Sequence, residues 1–88
     1  MLLGRIIGTV VATRKDPRLE GKKLLICRPV DPDGNDEKGY IVAVDAVGAG
    51  AGETVYVCRG REAAYAFKPE EVPTEATVVA IVDYMERE

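Results

Sequence analysis

Few residues in this chain could carry out covalent or proton-transfer chemistry. Its 88 residues include no histidine and two cysteines, Cys27 and Cys58. Without histidine the commonest general base and the commonest zinc ligand are missing. Two isolated cysteines cannot close a structural zinc site by themselves. Both lie in apolar runs, Leu24-Leu25-Ile26-Cys27 and Val55-Tyr56-Val57-Cys58, where a thiol behaves as a small hydrophobe. Asp45 and Glu53 flank a glycine-rich stretch, and paired carboxylates can do acid–base work. With no nucleophile pattern beside them, they read as solvated loop charges. The expectation is no catalytic residue, no bound metal and no cofactor.

Two further stretches invite a binding reading. Val47-Gly48-Ala49-Gly50-Ala51-Gly52 suggests a phosphate cradle, but the dinucleotide fingerprint needs G-x-G-x-x-G and a helix opening after it. Here the glycines stand at alternate positions, a β-branched run follows, and no Gly-Lys-Ser/Thr is present. A turn is expected, with positive φ or close backbone approach at Gly48 and Gly50. Arg59-Gly60-Arg61 could clamp an anion, since guanidinium suits carboxylate and phosphate; a surface turn ending a strand is the plainer reading. Lys22-Lys23 reads as an exposed edge that discourages unwanted strand pairing.

The elements that position these residues are mostly strands. Residues 2–13 are rich in β-branched types and interrupted by Gly4 and Gly8, which suggests a long strand with bends or a bulge. A charged connection over 14–21 holds Pro17 and Gly21. Strands are then predicted over 22–29, 40–45 and 54–59, with the turn Asp31-Pro32-Asp33-Gly34-Asn35-Asp36 after the first of these. Residues 61–67 alone have good helix propensity, enough for about two turns. Pro69 and Pro73 bracket an irregular stretch, 77–85 is the last strand, and 86–88 a solvated tail. The prediction is an all-β fold in a single domain over 1–88. Its architecture is a small five-stranded OB-like antiparallel barrel with one short helix before the last strand.

Composition narrows the function classes. A formal charge of −3, no Trp, one Phe and four Tyr argue against nucleic acid, whose binders need cationic faces and stacking rings. No apolar run approaches the roughly 18 residues of a membrane helix, and the opening lacks a secretory pattern, so a cytoplasmic, membrane-free protein is expected. A chain this short balances core burial almost evenly against chain entropy. Yet Leu24 and Ile26 point one way while Leu25 and Cys27 point the other, and 78–82 repeats the pattern. Strands apolar on both faces, where a barrel in water alternates apolar and polar, predict a second subunit against the outer face.

The order of several motifs resembles the EutN/CcmL family, the pentameric vertex proteins of bacterial microcompartment shells. Gly8-Thr9-Val10-Val11-Ala12-Thr13-Arg14-Lys15 followed by Leu19-Glu20-Gly21-Lys22-Lys23-Leu24-Leu25 is similar to the family's opening. Ala43-Val44-Asp45-Ala46-Val47-Gly48-Ala49-Gly50 resembles its glycine loop, and Arg61-Glu62-Ala63-Ala64 with 72–83 resembles its end. The chain departs from that pattern at Thr74-Glu75-Ala76, at Ala80 and at Arg61. The resemblance implies a structural, non-enzymatic role in the shell of a cytoplasmic compartment. It also implies a homopentamer beside hexameric and trimeric shell proteins, and makes Gly48, Ala49, Gly50, Arg59, Gly60 and Arg61 candidates for assembly or five-fold-axis loops. The alternative is an OB-type module that binds nucleic acid or a protein partner.

Overall fold

The computed structural model describes residues 1–86, so Arg87 and Glu88 of the predicted tail lie outside the described residues. Five strands, β1 (Leu2–Val10), β2 (Leu24–Pro29), β3 (Ile41–Asp45), β4 (Thr54–Arg59) and β5 (Ala76–Ile81), close a barrel in the order β1-β2-β3-β5-β4. The expected OB-like barrel is therefore present, with one correction. The β3–β5 seam is parallel, pairing Val44 with Thr77 and Asp45 with Val78, while the other neighbours are antiparallel. Parallel neighbours need a crossover connection, and β4 with the Arg61–Phe67 helix supplies it.

Partner length, more than local propensity, sets where the strands end. The predicted 2–13 strand stops at Val10, which pairs with Leu24, the first residue of β2. The predicted 77–85 strand stops at Ile81, opposite Val55; the Val82 amide still donates to the Thr54 carbonyl, and β4 offers nothing beyond. Two irregularities adjust which residues face inward. In β1 the register shifts between Ile6 and Gly8, and a second shift falls where β5 meets Tyr56 and Val57. Such bulges turn a strand's side-chain alternation by one residue, so Ile6 faces the core opposite Cys27 while Gly8, two residues on, stands in the outer row opposite Ile26.

The barrel interior is filled by aliphatic side chains and one thiol: Ile6, Leu25, Cys27, Ala43, Ala49, Val55, Val57 and Val78. No aromatic ring enters it, and all four tyrosines are exposed. Packing is tight enough to dictate Gly4: a Cβ there would stand 2.2 Å from Cys27 Sγ. The Arg61–Phe67 helix is of the 3-10 type. Gly60 before it has no capping side chain, and Pro69 follows Lys68, which discourages α geometry in the residue before it. Its Ala63 carbonyl accepts from the buried Thr77 hydroxyl at 2.7 Å, pinning the helix to β5. Within the charged connection expected over 14–21, Pro17–Leu19 forms one 3-10 turn. Proline suits the first helical position, and Asp16 caps the turn by accepting the Arg18 amide at 2.8 Å.

Candidate assembly surfaces

The residues singled out for chemistry hold the loops in place. Asp45 is not a solvated charge: its side chain is 5% exposed. Its Oδ1 accepts the backbone N–H groups of Val47, Gly48 and Ala49 at 3.1, 3.1 and 3.2 Å. Lys23 Nζ lies 3.7 Å from Asp45 Oδ2 and donates to the Ala49 carbonyl at 2.6 Å. Glu53 Oε1 accepts the Gly50 N–H at 2.5 Å. An acid–base pair needs free lone pairs aimed at a substrate, whereas these carboxylates are spent on amides of their own loop. The lysine pair is likewise no bare edge, since a closed barrel has none there. Lys22 pairs with Glu70 at 2.7 Å and lies 5.6 Å from the Phe67 ring centre. Sequence reasoning missed Lys23 and Asp45 as a clamp because Lys23 reaches Ala49 across 26 positions.

The glycine loop is a turn between strands, with β4 directly after it. Positive φ falls at Gly48 (80°) and Gly52 (84°). Gly50 is not among the positive-φ glycines, and a Cβ there would meet only Glu53 Oε1 at an ordinary 3.5 Å, so the expectation for Gly50 is corrected. Ala49 is fully buried and plugs the barrel core. The Arg59-Gly60-Arg61 turn sits at the other end of β4, with Gly60 at φ 81°. The two candidate loops are thus separated by the length of a six-residue strand, about 20 Å. Both arginines are exposed, and neither has an ion-pair partner among the described residues. Cys27 and Cys58 are free thiols; burial pushes the Cys27 thiol pKa up, away from reactive thiolate.

What stands out is the outside of the barrel. Residues directly opposite on neighbouring strands share a face. Across β1, β2 and β3 one such row is Val10, Leu24 and Val44, of which Val44 is itself buried by the chain, and the next is Gly8, Ile26 and Val42. The alternate rows hold Leu25 with Ala43 and Cys27 with Ile41 and turn to the core. The two outer rows are apolar, and the next outer row pairs Arg5 with Arg28. The parallel β3–β5 seam is only two residue pairs long, so a groove of about 940 Å³ opens beside it, walled by Leu19, Leu24, Val42 and Val44 and reaching Arg59, Gly60 and Glu75. On the other side of the barrel, Leu3, Tyr56 and Ala80 share a row across β1, β4 and β5. Leu3 and Tyr56 join Met1, Pro32, Val82 and Met85 around an apolar hollow of about 340 Å³. The chain exposes 5951 Å², whereas a 9.5 kDa monomer typically exposes roughly 5,000 Å².

A small closed β-barrel with clamped loops and apolar rows on its outer surface belongs to the class of assembling structural proteins. The chain is a member of the EutN/CcmL family: the family described as "Ethanolamine utilisation protein EutN/carboxysome" matches residues 1–83. It is 46% identical over 84 residues to the carboxysome shell vertex protein CcmL of Nostoc sp., covering 94% of this chain and 83% of that one. It is 45% identical over 87 residues to the bacterial microcompartment shell vertex protein PduN of Salmonella typhimurium, covering 94% and 96%. Among solved structures, the GrpN pentameric microcompartment shell protein from Rhodospirillum rubrum superposes with a TM-score of 0.90 at 40% identity, over 100% of both chains. No helix among the described residues is long and apolar enough to cross a membrane.

Proposed function

We propose that this chain, a single EutN/CcmL-type domain, assembles into a homopentamer that caps the five-fold vertices of a bacterial microcompartment and closes its shell in the cytoplasm. Full-length superposition on a pentameric shell protein carries the reading. Flat tiles of six-fold symmetry make a sheet, and closure into a polyhedron requires five-fold points. The role asks for shape and surface and for no catalysis, as the similarity to shell vertex proteins supports. Its partners are further copies of itself and the hexameric and trimeric proteins of the facets.

The Arg59-Gly60-Arg61 turn and the loop carrying Gly48, Ala49 and Gly50 are our candidates for contacts made in the assembly. Five chains at −3 each give −15 in all. Facet contacts are therefore cation-bearing on the partner's side, or apolar and backbone-mediated. Deleting the gene in its host is the test. Elongated or open shells that leak small intermediates, restored by the wild-type copy, are expected. Closed, normally shaped shells in a strain with no other vertex protein would refute the role.

A further inference from the structure

We propose that the outer row formed by Arg28, Arg5 and Thr54 is a binding site for an oxyanion, a carboxylate or phosphate group held between two guanidiniums. Arg5 on β1 stands directly opposite Arg28 on β2 and, on its other side, opposite Thr54 on β4. All three turn away from the core, since their chain neighbours Gly4, Ile6, Cys27 and Val55 are buried. Among the described residues this is the one cross-strand pair of like charges in the barrel. Such a pair, with Cα atoms about 5 Å apart, is destabilising on its own. An anion between the two cations reverses the sign.

The chain itself answers only one of them. The turn after β2 folds back through a bridge between Val30 and Asp36, and Asp36 Oδ1 accepts from the Arg5 guanidinium. No group among the described residues answers Arg28, which is half-buried and makes no ion pair or side-chain hydrogen bond; the Thr54 hydroxyl has no partner either. Other carboxylates of the turn are placed elsewhere. Asp31 Oδ1 accepts the amides of Asp33 and Asn35, both at 2.9 Å. Glu37, whose own amide donates to the Pro29 carbonyl at 2.8 Å, pairs with no cation. The row thus holds two positive charges, one carboxylate and a free hydroxyl, on strands about 4.8 Å apart. A guanidinium presents its N–H groups as a planar fork that matches two oxygens of one carboxylate or phosphate. Arg28 supplies that fork, and the remaining Arg5 N–H groups and the Thr54 hydroxyl complete the row of donors.

The oxyanion has two sources, free in solution or carried on an acidic protein segment, and two arms of one experiment separate them. The wild-type protein is melted with inorganic phosphate or with hexaglutamate added, at constant ionic strength and chain concentration, beside Arg28→Gln, Arg59→Gln and Glu37→Gln. A saturable rise of several degrees is expected in wild type, in Arg59→Gln and in Glu37→Gln, and none in Arg28→Gln. Whichever additive acts at the lower concentration identifies the source, and either one supports the site. In wild type, the Arg28 Nε–H resonance should also move saturably on titration while that of Arg59 stays in place, a readout that does not depend on any variant folding. Three results would overturn the site: no response in wild type, a response that survives Arg28→Gln, or one that appears only in Glu37→Gln, where Glu37 would have been the partner of Arg28. None of them touches the pentamer reading.

Discussion

Replacing Gly4 with alanine tests the packing at the centre of the barrel. Gly4 is buried where β1 crosses β2, and an added Cβ would stand 2.2 Å from Cys27 Sγ and 3.1 Å from the Arg28 carbonyl oxygen. Comfortable non-bonded contact is about 3.5–4.0 Å, so the sulfur is too close by roughly 1.5 Å. Cys27 is fully buried in the core cluster and has no room to withdraw. Overpacking of this kind costs about 1–3 kcal/mol, and the shortfall places Gly4→Ala near the upper end, about 3 kcal/mol. Cys27→Ala alone leaves a small cavity and costs about 1–2 kcal/mol. In the double variant the new methyl enters the space the sulfur vacates, and only the contact with the Arg28 carbonyl stays tight. The pair should therefore be less destabilised than the sum of the singles by about 2 kcal/mol, well within what contacting residues show in such cycles. The assay is denaturant unfolding followed by circular dichroism at one fixed chain concentration, because assembly makes stability concentration-dependent. A Gly4→Ala variant within about 0.5 kcal/mol of wild type, or an additive cycle, would refute the packing argument.

Three other perturbations separate the roles assigned above. Gly48→Val forces a β-branched residue to φ 80° and should cost about 1–3 kcal/mol, while Gly50→Ala meets only an ordinary contact and should melt within a few degrees of wild type; equal losses would contradict the loop geometry. Replacing both cysteines with alanine should leave the assembly intact, and a thiol reagent on the folded protein should modify half-exposed Cys58 long before Cys27, whose pKa is raised by burial; equal labelling rates would contradict that burial. Asp16 is held at a pKa of about 2, first by the Arg18 side chain and then by its amide. Its contribution is present above the ordinary value of 3.8 and disappears as the pH falls through about 2. Carboxyl resonances followed by NMR should show this depressed titration, and Arg18→Ala should return it toward the ordinary value.

The barrel was legible because its strands are written as β-branched runs divided by proline and glycine turns. Thr54–Arg59 appears with the bounds read from sequence. What was not legible depends on distant parts of the chain. Whether residues 11–13 and 82–85 join a ladder is decided by where β2 and β4 begin, and no local propensity carries that information. The direction of the β3–β5 seam follows from the crossover through β4 and the helix. Asp45 looked like a solvated charge because its three amide partners and Lys23 converge only when the loop folds over the end of β3. The apolar outer rows occupy a middle position. Sequence alternation showed that 24–27 and 78–82 are apolar on both sides, the pattern of strands covered on both faces. It could not show that the outward residues gather into two separate patches, because that depends on register: Ile26 must stand opposite Val42 and Gly8, and Tyr56 opposite Leu3 and Ala80. A one-residue slip in β2 would turn Leu24 and Ile26 inward and Cys27 outward. The Gly4–Cys27 contact therefore bears on register as well as packing, since only a β2 register that sends Cys27 inward brings its sulfur against Gly4.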